Sequence, residues 1–349
     1  MFTGLDKVQK STRWQSATIR VNPCTELDMT PVSETQLVNR LKDGKLVETI
    51  DQMSPIYLEG MKRTLTVSAD TELISAPAYY LAAQDAPSIN AFVSAMGIIQ
   101  DELGHAHIAY RMLEDLGVSK EAIVYQRRPE DYKYPYAFDV PLETWTELAV
   151  ANALYDRAGF VLLGDVFKNG SFGPWKRALA KVDKEENFHL RHGETWMRKI
   201  NAQPGGHKKL QSAVDWMFPL TVEWFGLPDD LKRHTVQIDY GFKGGTNDEL
   251  RQQWMTTAIP FLNDLELDIP AHYEKDEGIY VVDFPFPSRF IAGEKRWLFE
   301  EGQITWDAVL ERWKGRGPKN KEFVDSIQRG YLELNGNGST GLTWKEIVQ

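Results

Sequence analysis

The sequence predicts an all-α fold in which four long helices pack as a bundle. Three observations carry that prediction. Helical patterning sets in near residue 55 and runs to about residue 200. The motif Glu-x-x-His occurs twice, as Glu102-Leu103-Gly104-His105 and as Glu186-Asn187-Phe188-His189. Each copy has a carboxylate thirty residues upstream, Glu72 before Glu102 and Asp156 before Glu186.

On a helix, positions i and i+3 point the same way from adjacent turns, so each Glu-x-x-His presents a carboxylate and an imidazole on one face. Thirty residues is about the distance from the middle of one long helix, round a tight turn, to the middle of its antiparallel partner. Two such hairpins bring four carboxylates and two histidines to one level of the core. That set matches the ferritin-like di-iron or di-manganese arrangement, in which two helices give one carboxylate each and the other two give Glu-x-x-His. A single copy also arises by chance on a solvated helix face; two copies with equal upstream spacing point to metal. Glu72, Glu102, Asp156 and Glu186 are the candidate catalytic carboxylates, and with His105 and His189 they form the candidate ligand set.

Residues 1–54 read as an extended arm followed by a short helix at 36–41; such arms often wrap a partner subunit. The bundle occupies 55–202, with helices at about 55–84, 88–116, 143–168 and 173–200. Ser54-Pro55 starts the first. Pro77, five residues beyond Glu72, is expected to kink it. Gly117 caps the second, a crossover at 125–141 spans the bundle, and Asn169-Gly170 turns the chain into the fourth.

Residues 203–349 form a C-terminal helical extension with an irregular tail. The expectations there are a buried helix interrupted at Pro219, a flexible loop at 240–245, and a helix to about Leu262 capped by Thr246-Asn247-Asp248-Glu249. They continue with a largely irregular stretch at 264–293, short helices at 306–313 and 320–334, and a mobile segment at 335–341.

The 349 residues are 42% apolar and 26% charged, ordinary for a globular protein. A net charge of -10 and a pI near 5.3 argue against nucleic acid or an anionic membrane as the main partner. Cys24 is the only cysteine, so the chain forms no intramolecular disulfide and no thiolate cluster, which fits a reducing cytoplasm. Neither a secretory signal nor a membrane-spanning run is legible.

Asp101 and Glu185 directly precede the two ligand glutamates. They are expected to accept the imidazole N–H that faces away from the metal; the alternative is two exposed acids. His107 is on the wrong side of its helix to be a ligand, and His192 is a turn beyond His189. Tyr110 falls one residue past the i+7 position of Glu102, about 100° off the metal face, which disfavours it as a radical-forming tyrosine. Small or apolar neighbours (Ala69, Ala76, Ile98, Ile99, Ala153, Gly159, Phe160) read mainly as helix packing, though small ones would leave space for dioxygen and an organic substrate.

These residues carry a resemblance. Glu72, Gln100-Asp101-Glu102-x-Gly104-His105, Asp156, Lys184-Glu185-Glu186-x-Phe188-His189-x-Arg191-x-Gly193 and Thr246-Asn247-Asp248-Glu249-Leu250-Arg251-Gln252 resemble the catalytic (alpha) subunits of bacterial ring 1,2-phenylacetyl-CoA epoxidases, the alpha-subunit family of the phenylacetate degradation monooxygenases. The likeness covers roughly 55–275 and includes aspartate rather than glutamate on the third helix; Ile98, apolar one turn before Glu102, departs from it. The resemblance implies a di-iron centre of two iron ions, with Glu72, Glu102 and His105 on one side and Asp156, Glu186 and His189 on the other. It implies epoxidation of an aromatic CoA thioester with dioxygen. Electrons would come from a separate NADPH-dependent flavin and iron–sulfur reductase. The other partners would be a small bridging subunit together with a related, non-catalytic helical one. Lys232, Arg233, Lys243 and Arg251 are candidates for the CoA phosphates, and solvated surface charge explains them equally well. Other readings of the same ligands are a di-metal oxidase or oxygenase acting on a different substrate, a ferroxidase-type iron protein, or a structural partner. The long C-terminal region argues against iron storage, and six intact ligands argue against a structural partner.

Overall fold

The computed structural model describes residues 32–232 and 237–335. The segments of the expected arm up to residue 31, Arg233, and 336–341 lie outside the described residues. The fold is all-α, with two small hairpins as its only strands among the described residues.

Helix α1 (Glu34–Lys42) opens with a capping box between Ser33 and Gln36 and buries Leu37. The bundle follows: α2 (Pro55–Ala83) and α3 (Ile89–Asp115), then, after the short α4 (Lys120–Tyr125), α5 (Trp145–Asn169) and α6 (Gly173–Asn201). Serine or threonine caps fix three of the starts. Ser54 accepts from the Tyr57 N–H with Pro55 in the first turn, Ser88 accepts from Ala91, and Thr144 forms a capping box with Glu147. Helix α2 runs on through Pro77, which lacks only the N–H that would meet the Leu73 carbonyl.

Helix α5 is the central member. Trp145 and every residue from Glu147 to Ala158 are buried, because α5 packs against α2, α6, α7 (Gly206–Trp224) and α8 (Asn247–Asp264). Gly193 on α6 makes the closest approach possible. A Cβ there would sit 2.4 Å from the Ala153 N and 2.6 Å from the Asn152 carbonyl carbon.

Two expectations for the C-terminal third are corrected. Helix α7 is not interrupted: it passes through Pro219, which sits among buried residues from Trp216 to Glu223. The 240–245 loop is anchored, with Tyr240 and Phe242 buried against Tyr57 at ring distances of 5.7 and 4.9 Å. Gly241 supplies the φ of +62° that the turn between them requires. The 264–293 stretch is largely irregular and holds three short strands: β1 (Ala271–Glu274) and β2 (Ile279–Val282), paired antiparallel, and β3 (Phe290–Ile291), which pairs with β4 (Arg296–Trp297). Its prolines flank the strands, and the run Ile279-Tyr280-Val281-Val282 has the β-branched and aromatic character that strands favour. Helices α9 (Trp306–Gly315) and α10 (Pro318–Asn335) close the described chain.

The link between α9 and α10 is tied to the crossover by a buried cluster. Asp139 pairs with Arg316 at 3.0 Å and accepts from the Tyr134 hydroxyl at 2.8 Å and the Asn320 amide at 3.1 Å. One apolar cluster runs from α2 and α5 to α7, α8 and α10, so the C-terminal third shares the bundle's core.

Candidate metal centre

Glu72, Glu102, His105, Asp156, Glu186 and His189 are all buried at one level of the bundle. Two groups of three could each hold one ion: Glu72 with His105 and Glu186, and Glu102 with Glu186 and His189, their ligand atoms within 4.8 Å of one another. Glu186 belongs to both. This grouping crosses the helix pairs and differs from the pair-by-pair division that the resemblance implies. The reason is that α3 and α6 lie side by side, so each histidine faces the other helix's carboxylates. The His105 Nδ1 is 3.3 Å from Glu186 and 3.5 Å from Glu72; the His189 Nδ1 is 3.2 Å from Glu102 and 3.7 Å from Glu186.

The outer ring nitrogens face the two preceding acids, also crosswise. The His105 Nε2 lies 3.0 Å from Glu185, and the His189 Nε2 lies 3.4 Å from Asp101. Neither inner Nδ1 has an aligned hydrogen-bond partner although both are buried. A ring whose outer N–H meets a carboxylate and whose inner nitrogen faces a carboxylate cluster is arranged as metal-ligating histidines are. The donor set of carboxylates and imidazoles therefore fits a pair of divalent first-row metals.

The electrostatics are those of acids crowded into a dry interior. Burial, then the Glu102 charge, pushes the Glu72 and Asp156 carboxyls well above their usual range. Burial acts the same way on Glu102, but the His189 ring, His105 and the Ser75 hydroxyl outweigh it and hold its carboxyl low. Burial opposes charging of the two rings. The Glu186 and Glu72 carboxylates nonetheless raise His105 to about 12, and Glu102 and Glu186 raise His189 to about 10.

A family model described as "Phenylacetic acid catabolic protein" matches residues 27–292. The chain belongs to that family. The match extends beyond the 55–275 of the sequence resemblance at both ends. A curated relative, the A subunit of 1,2-phenylacetyl-CoA epoxidase from Escherichia coli (strain K12), is 27% identical over 305 residues. The alignment covers 86% of this chain and 92% of that protein.

Three contacts lie beyond the motifs. The Ser75 hydroxyl donates to Glu102, the Tyr79 hydroxyl donates to Asp156, and the Asn152 amide donates to Asp156 at 2.8 Å. Their signal is periodicity: Ser75 and Tyr79 are three and seven residues beyond Glu72, and Asn152 is four before Asp156, all on the ligand face. Tyr110 points elsewhere, donating at 2.6 Å to Asp70, which Arg127 also holds. His107 is exposed, and His192 pairs through Nδ1 with Asn152 at 3.0 Å.

Glu72 also lines a cavity of about 580 Å³. Its walls include Leu162, Val166, Trp224 and Phe242, and Arg63, Lys133 and Lys243 add positive charge. Gly159 borders it beside the cluster, where an added Cβ would lie 3.6 Å from a Glu186 oxygen. Of the small or apolar neighbours named from the sequence, Gly159 alone lines this space; Ala69, Ala76, Ile98, Ile99 and Ala153 are buried in helix packing. Burial, with Lys232 beside it, lowers Lys243 to about 8. Arg251 is instead engaged with the Val222 and Gly226 carbonyls and Asp248. No helix among the described residues is long and apolar enough to cross a membrane.

Proposed function

We propose that this chain is the catalytic subunit of a multicomponent di-iron monooxygenase that epoxidises the aromatic ring of phenylacetyl-CoA or a close aryl-CoA. The observation that carries the reading is the opening of the carboxylate–histidine cluster, at Glu72 and Gly159, onto an apolar cavity with cationic residues in its lining. The name of the curated relative suggests the substrate.

Glu72, His105 and Glu186 would hold one iron; Glu102, His189, Glu186 and Asp156 would hold the other. When bound, the iron pair supplies dioxygen activation. One oxygen atom is added across a ring double bond and the other leaves as water. That balance takes two electrons and two protons per turnover, and the electrons come from a separate NADPH-dependent flavin and iron–sulfur reductase. A related helical subunit without the ligands and a small bridging subunit complete the assembly.

The chain's own residues bind and orient. Leu162, Val166, Trp224 and Phe242 bury the aryl group and exclude water. Arg63, Lys133 and Lys243 receive the CoA phosphates as charged donors. Glu185 and Asp101 keep each imidazole oriented with its outer N–H on a carboxylate.

The test is aerobic turnover of the iron-loaded protein with its reductase, partner subunits, phenylacetyl-CoA and isotope-labelled dioxygen, read by product mass. One labelled oxygen per product is expected. Unchanged phenylacetyl-CoA, in an assembly that oxygenates another substrate, would remove phenylacetyl-CoA from the account.

A further inference from the structure

Asp156 belongs to neither compact three-residue group, and its surroundings account for that. Both of its oxygens are engaged by uncharged donors: Oδ1 by the Tyr79 hydroxyl and Oδ2 by the Asn152 amide at 2.8 Å. Tyr79 and Asn152 are 1% and 0% exposed, so water does not compete for either bond. The Asn152 amide is itself oriented. With its nitrogen donating to Asp156, its oxygen accepts from the His192 Nδ1–H at 3.0 Å. The result is a dry hydrogen-bonded chain from His192 through Asn152 to Asp156, closed on the other side by Tyr79. Glu72, its counterpart on α2, has no such frame. Only the His105 ring, at 3.5 Å, is within ion-pair reach of its carboxylate among the described residues, and its side chain borders the cavity.

We propose that Tyr79 and Asn152 are positioning residues that fix Asp156 in one orientation and so make the two metal positions unequal. The position completed by Asp156 has a rigid carboxylate in dry surroundings. The position completed by Glu72 has one free to rotate toward the cavity, where substrate and dioxygen arrive. This rests on the di-metal reading above.

Cobalt(II) separates the two claims, because its visible bands report the ligands around each ion. Metal-depleted full-length protein, titrated anaerobically, is expected to take up two cobalt ions. In Tyr79→Phe and in Asn152→Ala one ion binds as in the wild type. The other binds about 10–100-fold more weakly, the usual cost of losing an outer partner of a ligand, and its bands shift. Tyr79→Phe removes one hydroxyl and keeps the packed ring, so it carries the test even where Asn152→Ala does not fold. Two wild-type-like ions with unshifted bands in Tyr79→Phe overturn the proposal alone. A wild-type protein that takes up no cobalt overturns the metal reading beneath it.

Discussion

The α2–α3 and α5–α6 hairpins carry the same motif at the same spacing, yet they treat their upstream carboxylate in opposite ways. Glu72 on α2 borders the cavity, whereas Asp156 on α5 is enclosed and held by two neutral hydrogen bonds. The difference comes from what covers each hairpin. Helices α7 and α8 pack on α5, so around Asp156 its outward side is as dry as its inward side and it meets the cavity only beyond Ala158, at Gly159, Leu162 and Val166, while α2 turns Arg63, Val67 and Thr71 toward that space. A repeat that is symmetric in sequence becomes asymmetric once the C-terminal third is laid against one half of it. Access and rigidity are then divided between the halves.

The substitution that would most disturb this comparison is Glu186→Ala, since Glu186 is the residue that both ligand groups share. It is expected to lose both metals and all oxygenation, read as metal per chain and product formed; retention of one tightly held metal would show that the groups are independent. The outer acids offer a sharper and smaller test. Asp101→Ala should weaken the metal position that contains His189, and Glu185→Ala the one that contains His105, each by about 10–100-fold in affinity. The reverse pattern in a metal titration would undo the crosswise pairing. The smallest effect belongs to His107→Ala. This ring is exposed, with the Lys120 ammonium near it at 3.4 Å, so metal content and turnover should stay at wild-type levels. A loss of metal there would mean that the phase of α3 is misjudged.

Much of this is legible in the residues, because helix periodicity translates directly into faces. Two Glu-x-x-His motifs and a thirty-residue offset suffice to bring six side chains to one level of four helices. What is not legible depends on neighbours distant in sequence. The crosswise engagement of His105 by Glu185 and of His189 by Asp101 needs the side-by-side placement of α3 and α6, which spacing within a helix does not encode. The 240–245 loop looks flexible from its glycines, but Tyr240 and Phe242 pack on Tyr57, far earlier in the chain. Helix α7 looks broken at Pro219, but burial from Trp216 to Glu223 sustains it through the missing hydrogen bond. Helical phase sets Tyr110 aside, and the tyrosine that does reach a carboxylate of the cluster is Tyr79, on the helix of Glu72.

The most direct test of the central claim, that this cluster holds two metals, is anomalous X-ray diffraction at the iron edge from crystals of the iron-loaded protein. The account predicts two peaks, one among Glu72, His105 and Glu186 and one among Glu102, His189 and Glu186, with Asp156 completing the second. A single peak, or iron bound away from these residues, would contradict it.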